Sequence, residues 1–564
     1  MRKNAVVIRS LLLMLLAELL IVLPGAGQVI RHQHAAVVSA HPEASKVGVA
    51  IMKQGGNAVD AAVAVQFALA VVYPNAGNIG GGGFLVYRGN AGNTDALDYR
   101  EKAPGKASKN MYLDEEGNAI IDKSLYGALA SGVPGTVAGM IKAHQKYGKL
   151  KWKKDLQPAI ELAEKGFPIT AQQAGELNKN KEAFLKYNRM PTAFVKEGLW
   201  KEGDLLLQPA LARTLKLIRD QGRSGFYEGA VANAIVTSME HTKGVISLND
   251  LKNYQAIWRT PIAGTYKNYK VIAMPPPSSG GIALLTMLKQ VSNFPISSWG
   301  FQRDSTVQLM VETERRAYAD RASYLGDPDF FKVPQVALLD ANYMMGRMRN
   351  LSFVKATPSS EIKPGVLPDY ESEQTTHFSI VDEEGNAVSA TTTLNGSYGS
   401  LVVVEGAGFI LNNEMDDFSV KPGSPNMYGL VGGLANAIVP GKRMLSSMTP
   451  TIIEQDGKLL MVVGTPGGST IITSVFQTIL NVLEFGQDMQ SAVAAPRFHH
   501  QWLPDEVYVE RGAIDEATRK RLELKGYKIV ERGPMGRVDA ILIRTDGSLE
   551  TGADPRGNDT GLGY

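Results

Sequence analysis

The run Thr375-Thr376-His377-Phe378-Ser379-Ile380-Val381 alternates Thr375, His377, Ser379 and Val381 with Thr376, Phe378 and Ile380. This is the period-2 pattern of a strand. A threonine hydroxyl inside a chain is a weak nucleophile. At an N-terminus it carries its own base, an α-amino group of pKa about 8. A cut between Gln374 and Thr375 would therefore turn a strand residue into an acyl-transfer catalyst. Two adjacent threonines alone do not call for such a cut, because an ordinary strand has them too.

A second element bears on Thr375. The turn-forming Asp382-Glu383-Glu384-Gly385-Asn386 is followed by another strand-like run, Ala387 to Leu394. A hairpin centred on Glu384 sets Thr375 opposite Thr393. Facing side chains on paired strands approach to about 5 Å, close enough for two threonines to hydrogen-bond. Further on, Thr465-Pro466-Gly467-Gly468-Ser469 offers consecutive backbone N–H groups at Gly467 and Gly468. Such donors stabilise a tetrahedral oxyanion, and losing one typically costs about 3–4 kcal/mol.

Several motifs then converge. Thr375 through Ser379, Leu411-Asn412-Asn413-Glu414-Met415-Asp416-Asp417-Phe418, Leu445-Ser446-Ser447-Met448, the Gly467-Gly468 segment and Ala495-Pro496-Arg497-Phe498-His499-His500 resemble the small subunit of the γ-glutamyltransferases. Upstream, Gly55 through Ala62, Asn78 through Phe84, Arg100-Glu101-Lys102-Ala103-Pro104 and Ser131-Gly132-Val133-Pro134-Gly135 resemble the same family. The likeness covers nearly everything after residue 35. It implies an α+β fold of the N-terminal-nucleophile (Ntn) hydrolase type, a four-layer αββα sandwich. It also implies autoprocessing into a large subunit, residues 28–374, and a small subunit, residues 375–564, held together as a heterodimer. Thr375 becomes the nucleophile, and Thr393 is marked as its catalytic-site partner.

The implied donor, glutathione or another γ-glutamyl compound, presents an α-carboxylate and an α-ammonium. The planar fork of Arg100 suits the carboxylate, with hydroxyl donors from Ser446 and Ser447. Asp417 and Glu414 suit the ammonium, with Asn395 assisting. These positions match the family's substrate contacts. Each also has a plain reading: a surface salt bridge for Arg100, a turn for Asp417, a helix cap for Ser446-Ser447. Residues 422–433, with Tyr428 and several glycines, resemble the family's lid loop, or are a surface loop. Adjacent histidines cannot share one face, so His499 and His500 read as structural. The acceptor would be an amino acid, a peptide or water, and the chemistry calls for no metal or cofactor. Two other readings stand beside this one. One is a related acylase of the cephalosporin or glutaryl type; the other is an exported binding protein that never processes.

Composition narrows the rest. The chain has 564 residues, 44% hydrophobic and 20% charged, with a formal charge of +3 and no cysteines. Disulfides and thiolate catalysis are excluded, and no basic stripe points to nucleic acid. Arg2, Lys3 and Arg9 precede the apolar run Leu11 to Leu23, and small residues follow it. This layout, residues 1–27, reads as a secretory signal peptide, with a retained anchor as the alternative. Export, to a periplasm or beyond, follows without any later membrane span.

The elements that must hold these groups are also visible. His41-Pro42-Glu43 opens a helix that Gly55-Gly56 closes, and Asn57 caps an alanine-rich helix through Val72. Gly80 to Gly83 lead into the strand-like Phe84 to Tyr87. They read as close backbone packing rather than a phosphate loop, because no Gly-Lys-Ser/Thr follows. Residues 136–260 are mostly helical, and Lys149 to Lys154 form a solvated face. The helix through Glu312 to Asp320 pairs opposite charges at helical spacing, and residues 351–374 form a polar linker.

Overall fold

The computed structural model describes residues 29–363, 376–420 and 434–564. Thr375, Tyr428, the segment 364–374 and residues 1–28 lie outside them. The helix Pro42–Lys53 starts where expected: His41 is extended and its ring accepts from the Glu43 N–H. Asn57 and Asp60 form a reciprocal capping box at the head of Ala58–Val72, every residue of which is buried. Alanine allows this, because its small side chain lets neighbouring helices approach on all sides. Gly48 serves the same purpose, since a Cβ there would lie 2.8 Å from Val65.

Two seven-stranded antiparallel sheets form the centre. One runs Arg31–His32, Leu549–Ala553, Asp539–Ile543, Lys458–Gly464, Thr451–Gln455, Tyr269–Ala273, Ile262–Tyr266. The other runs Thr560–Gly563, Ala36–Ser39, Thr376–Val381, Ala387–Thr393, Gly82–Arg88, Thr94–Asp98, Ile257–Arg259. Their inner faces meet through Val38, Phe84, Val86, Ile272, Ile452, Val462 and Ile541. Helices Ala58–Val72, Thr136–Tyr147 and Trp152–Lys165 cover the second sheet's outer face. Gly280–Val291, Asp304–Tyr324 and Thr470–Leu483 cover the first sheet's. This is the expected αββα sandwich.

The hairpin has the expected register. Thr376 pairs with Thr392, His377 with Thr391, and Val381 with Ala387. Gly80 to Gly83 pack backbone to backbone: a Cβ at Gly81 would lie 2.0 Å from the Thr393 carbonyl, and one at Gly83 2.4 Å from that of Thr391. The helix Asp304–Tyr324 departs from expectation. Beyond Asp304 its charged residues are buried: Glu312, Glu314, Arg315, Arg316, Asp320 and Arg321. The Glu312–Arg316 pair is therefore part of a desolvated network, not a surface pair of a few tenths of a kcal/mol. Among the described residues, no helix is long and apolar enough to cross a membrane.

Candidate active site

The Thr376–Val381 strand is central in its sheet, between Ala36–Ser39 and Ala387–Thr393, and fully buried. His377 stacks into the inter-sheet space, where its Nδ1 lies 2.8 Å from Thr391 Oγ1 and its Nε2 3.1 Å from Ser379 Oγ. Burial pushes this imidazole down to about 3, so it is a neutral framework group rather than a base. Gly464 lies over it, with no room for a side chain: a Cβ would sit 2.3 Å from the ring. The strand Lys458–Gly464 thus delivers Thr465-Pro466-Gly467-Gly468 close to the head of the hairpin. Gly467 and Gly468 have φ of 131° and 70°, conformations that a side chain would strain. They lead directly into the helix Thr470–Leu483.

Thr393 ends its strand, and its Oγ1 accepts from the Asn395 N–H at 2.7 Å. Asn395 has φ of 68°, and its amide donates to the Asn413 carbonyl at 3.0 Å. Asn395 and Gly467 line one cavity of about 220 Å³, with Tyr73, Gly536, Arg537 and Arg556. A larger, more apolar cavity of about 480 Å³, between Met190, Leu207 and Val403, contains none of the predicted residues. Size is therefore a poor guide to the chemistry here.

Arg100 is buried at the C-terminal end of the strand Thr94–Asp98, and it meets the acids assigned to the ammonium. Its guanidinium donates to Glu414 and Asp417 in short bonds, and to Glu101 at 3.4 Å. It also donates to the carbonyls of Met444 and Leu445, at 3.3 and 3.0 Å. All five of its N–H donors are engaged. Burial opposes the Arg100 charge, but Glu414, Asp417 and Glu101 outweigh it and raise its pKa. Burial raises Glu101 to about 7 and Glu414 well above the carboxylate range, although Arg100 pulls both down.

Ser446 and Ser447 follow Leu445 and are buried. Ser446 bridges to the Pro277–Ser279 turn through backbone bonds of 2.9 and 2.7 Å. Ser447 Oγ accepts from Arg321, which also donates to Ser279 Oγ at 3.0 Å. The structure therefore gathers Arg100, Glu414 and Asp417 in direct contact, and Asn395 with Thr393. Two supporting residues escaped the sequence reading. Glu101 stands in a quoted motif, next to Arg100, and could have been found. Arg321 stands on a helix whose charges gave no sign of burial. His499 and His500 are structural as read: they contact Thr473 at 2.9 Å and Asp505 at 3.3 Å, and burial lowers them to about 3 and 4.

A sequence model of the gamma-glutamyltranspeptidase family matches residues 44–564. The chain belongs to the γ-glutamyltranspeptidase family. It is 49% identical over 538 residues to the glutathione hydrolase proenzyme of Escherichia coli, covering 95% of this chain and 93% of that protein. The crystal structure of Helicobacter pylori gamma-glutamyltranspeptidase matches with a TM-score of 0.57 and 47% identity, over 58% of this chain and 94% of that one. Cephalosporin acylase from Bacillus halodurans matches with a TM-score of 0.85 and 25% identity, over 96% of this chain and 98% of that one. The two-sheet sandwich is the Ntn-hydrolase fold, and the family's chemistry is γ-glutamyl transfer.

Proposed function

We propose that this γ-glutamyltranspeptidase is an exported, autoprocessed γ-glutamyltransferase and glutathione hydrolase, with Thr375 as nucleophile. One observation carries the substrate assignment. Around the Arg100 cluster, three buried acceptors have no donor: Glu414 Oε2, Glu101 Oε1 and Asn395 Oδ1. An α-ammonium brings three N–H donors, and an α-carboxylate matches the guanidinium fork. A γ-glutamyl group carries both on one carbon. Inserting it exchanges Arg100–carboxylate pairs for Arg100–substrate and substrate–Glu414/Asp417 pairs, so no charge is stranded. Ser446 and Ser447 then supply hydroxyls to the same carboxylate.

The chemistry runs from the hairpin. Continuing its register by one residue sets Thr375 opposite Thr393. The Thr375 hydroxyl attacks the Gln374 carbonyl, and water hydrolyses the resulting ester. The freed amine takes the hydroxyl proton in the next attack, on the substrate γ-carbonyl. The N–H groups of Gly467 and Gly468 receive the oxyanion. The leaving amine departs protonated, and an amino acid, a peptide or water takes the acyl group. Tyr428, on the lid-like loop, would close over the bound donor.

The two products, residues 28–374 and 375–564, interleave in the sheets. Ala36–Ser39 pairs with Thr376–Val381, and Gly82–Arg88 pairs with Ala387–Thr393. Separation would break these ladders, so the pieces stay together as a heterodimer. The basic, then apolar, residues 1–27 direct export, and the Gram-negative type of lid loop favours a periplasm.

A denaturing gel tests the cut. Wild type should give two bands, and Thr375→Ala one band of the full chain with activity lost. Cleavage at the same bond in Thr375→Ala would remove Thr375 from its role. The acylase likeness makes a second reading concrete. A glutaryl donor has no ammonium and would leave Glu414, Glu101 and Asn395 unanswered. Comparing γ-glutamyl and glutaryl 4-nitroanilides decides between them, and faster turnover of the glutaryl compound would overturn the γ-glutamyl assignment.

A further inference from the structure

Away from the catalytic cluster, a second buried group of polar side chains contains a carboxylate with no hydrogen-bond partner. Asp155, in the first turns of Trp152–Lys165, is fully buried, and neither carboxylate oxygen has a hydrogen-bond partner. It faces His144, in the last turn of Thr136–Tyr147, with Oδ2 3.5 Å from His144 Nε2. Asp60, in the first turn of Ala58–Val72, places Oδ1 3.8 Å from the same nitrogen. The Leu150 carbonyl oxygen lies 3.0 Å from it. The three side-chain atoms all fall within 4.8 Å of one another.

The surroundings fix these groups in place. Asp60 is held by the N–H groups of Asn57, Lys149 and Leu150, at 2.9 to 3.2 Å. The His144 ring is set edge-to-face on Trp152, centroids 5.3 Å apart. Gly148 makes room for it, since a Cβ there would lie 2.5 Å from the ring. His144 keeps 16% of its side chain exposed, which leaves a way in. Two carboxylates and an imidazole meet here, and Asp155 has no donor of its own.

We propose that Asp60, His144 and Asp155, with the Leu150 carbonyl, form a divalent-cation site that ties three helices of this layer together. The donor set selects the ion. An imidazole beside two carboxylates suits Zn²⁺ or Mn²⁺, whereas Mg²⁺ and Ca²⁺ prefer all-oxygen sites. Ligand bonds of about 2.0–2.2 Å need these atoms to draw in by only a few tenths of an ångström. The site is also braced against the catalytic hairpin: the Ala58 N–H donates to Asp382 in the hairpin turn at 2.8 Å, and Lys149 reaches Glu384 at 2.9 Å. Its role is structural, and no step of the acyl transfer passes through it.

The test uses untagged, processed wild-type protein, stripped with chelator and titrated with ZnCl₂ or MnCl₂. Equilibrium dialysis with elemental analysis should find one ion per chain, and saturation should raise Tm by several degrees. Asp155→Asn, which keeps the shape and removes the charge, and His144→Ala should each weaken binding at least tenfold and abolish the Tm rise. Absence of binding to wild type would overturn the proposal. Wild-type affinity in both variants would also overturn it, by placing the ion elsewhere. If a variant fails to fold, the wild-type stoichiometry alone decides.

Discussion

The Thr376–Thr393 hairpin and the Arg100 cluster are both buried and both rich in polar groups, yet they are satisfied in opposite ways. In the hairpin, the backbone is paired on both sides. His377, Ser379 and Thr391 close on one another, and Ser389 bonds to the facing strands at Val463 and Thr451. Its unpartnered side-chain atom among the described residues is Thr376 Oγ1, at the end next to position 375. Around Arg100, one cation is shared by three acids, and buried acceptors are left over. A closed polar network stiffens a fold, whereas an open one keeps costly unpaired groups that a ligand can satisfy. The hairpin is a frame, and the Arg100 cluster is a site held ready for a zwitterion.

The largest effect should come from removing the shared cation. Arg100→Ala leaves Glu101, Glu414 and Asp417 buried together and should cost about 3–5 kcal/mol of stability. It should also abolish measurable saturation with a γ-glutamyl anilide. Arg100→Lys keeps the charge but not the fork, so it should recover much of the stability while KM stays high. Urea melts and steady-state kinetics on the two variants check this. An Arg100→Ala protein as stable as wild type would erase the contrast between site and frame. Next in size is Gly467→Ala, at the junction of the two regions. A Cβ there would sit 2.7 Å from Gly536 Cα, tilting an oxyanion donor and lowering kcat about 10²–10³-fold. A change confined to KM would remove these glycines from the oxyanion role.

The contrast also explains what could be read in advance. The hairpin was legible because its register follows from local rules: strict alternation on both strands, and a turn that Asp382, Gly385 and Asn386 are suited to make. Asp382 indeed accepts from the N–H groups of Glu384 and Asn386 at 3.0 and 2.9 Å. The caps at His41 and Asn57 were legible for the same reason. The residue types at Arg100, Glu414 and Asp417 suggested a zwitterion, but their closure on one another was not legible. Arg100 lies 314 and 317 residues from those partners, and sequence offers no rule for pairing over such separations. Arg321 and the buried charges of its helix were hidden for a further reason. Charges at helical spacing look the same whether they face water or another layer. Position 375 and Tyr428 lie outside the described residues, so the placement of the nucleophile and lid still rests on register and resemblance.

The pH dependence, smallest when taken one pH unit at a time, separates frame from site by its sign. Burial lowers His377 from 6.5 to about 3. The folded hairpin thus refuses a proton that the unfolded chain accepts below pH 6.5. Its contribution is intact above that pH and is lost as pH falls toward 3, by about 1.4 kcal/mol per unit. Glu101 runs the other way. Burial raises it from 4.5 to about 7, so the folded cluster holds a proton that the unfolded chain releases. Its contribution is intact below pH 4.5 and declines as pH climbs toward 7, at a similar slope. Two conservative variants each remove one group's share of a limb. His377→Gln should make the acid side of a stability–pH curve, measured by urea titration, shallower by one proton's share, with the share of His499 and His500 remaining, and leave the neutral side alone. Glu101→Gln should make the decline between pH 4.5 and 7 shallower by one proton's share, with the share of Glu414 remaining, because the amide neither titrates nor repels Glu414 and Asp417. A bound γ-glutamyl analogue should mimic Glu101→Gln, because its ammonium supplies the positive charge that the proton supplies in the empty site. It should leave the His377 limb unchanged. If the analogue moved both limbs equally, frame and site would be one coupled network, and the division between them would fail.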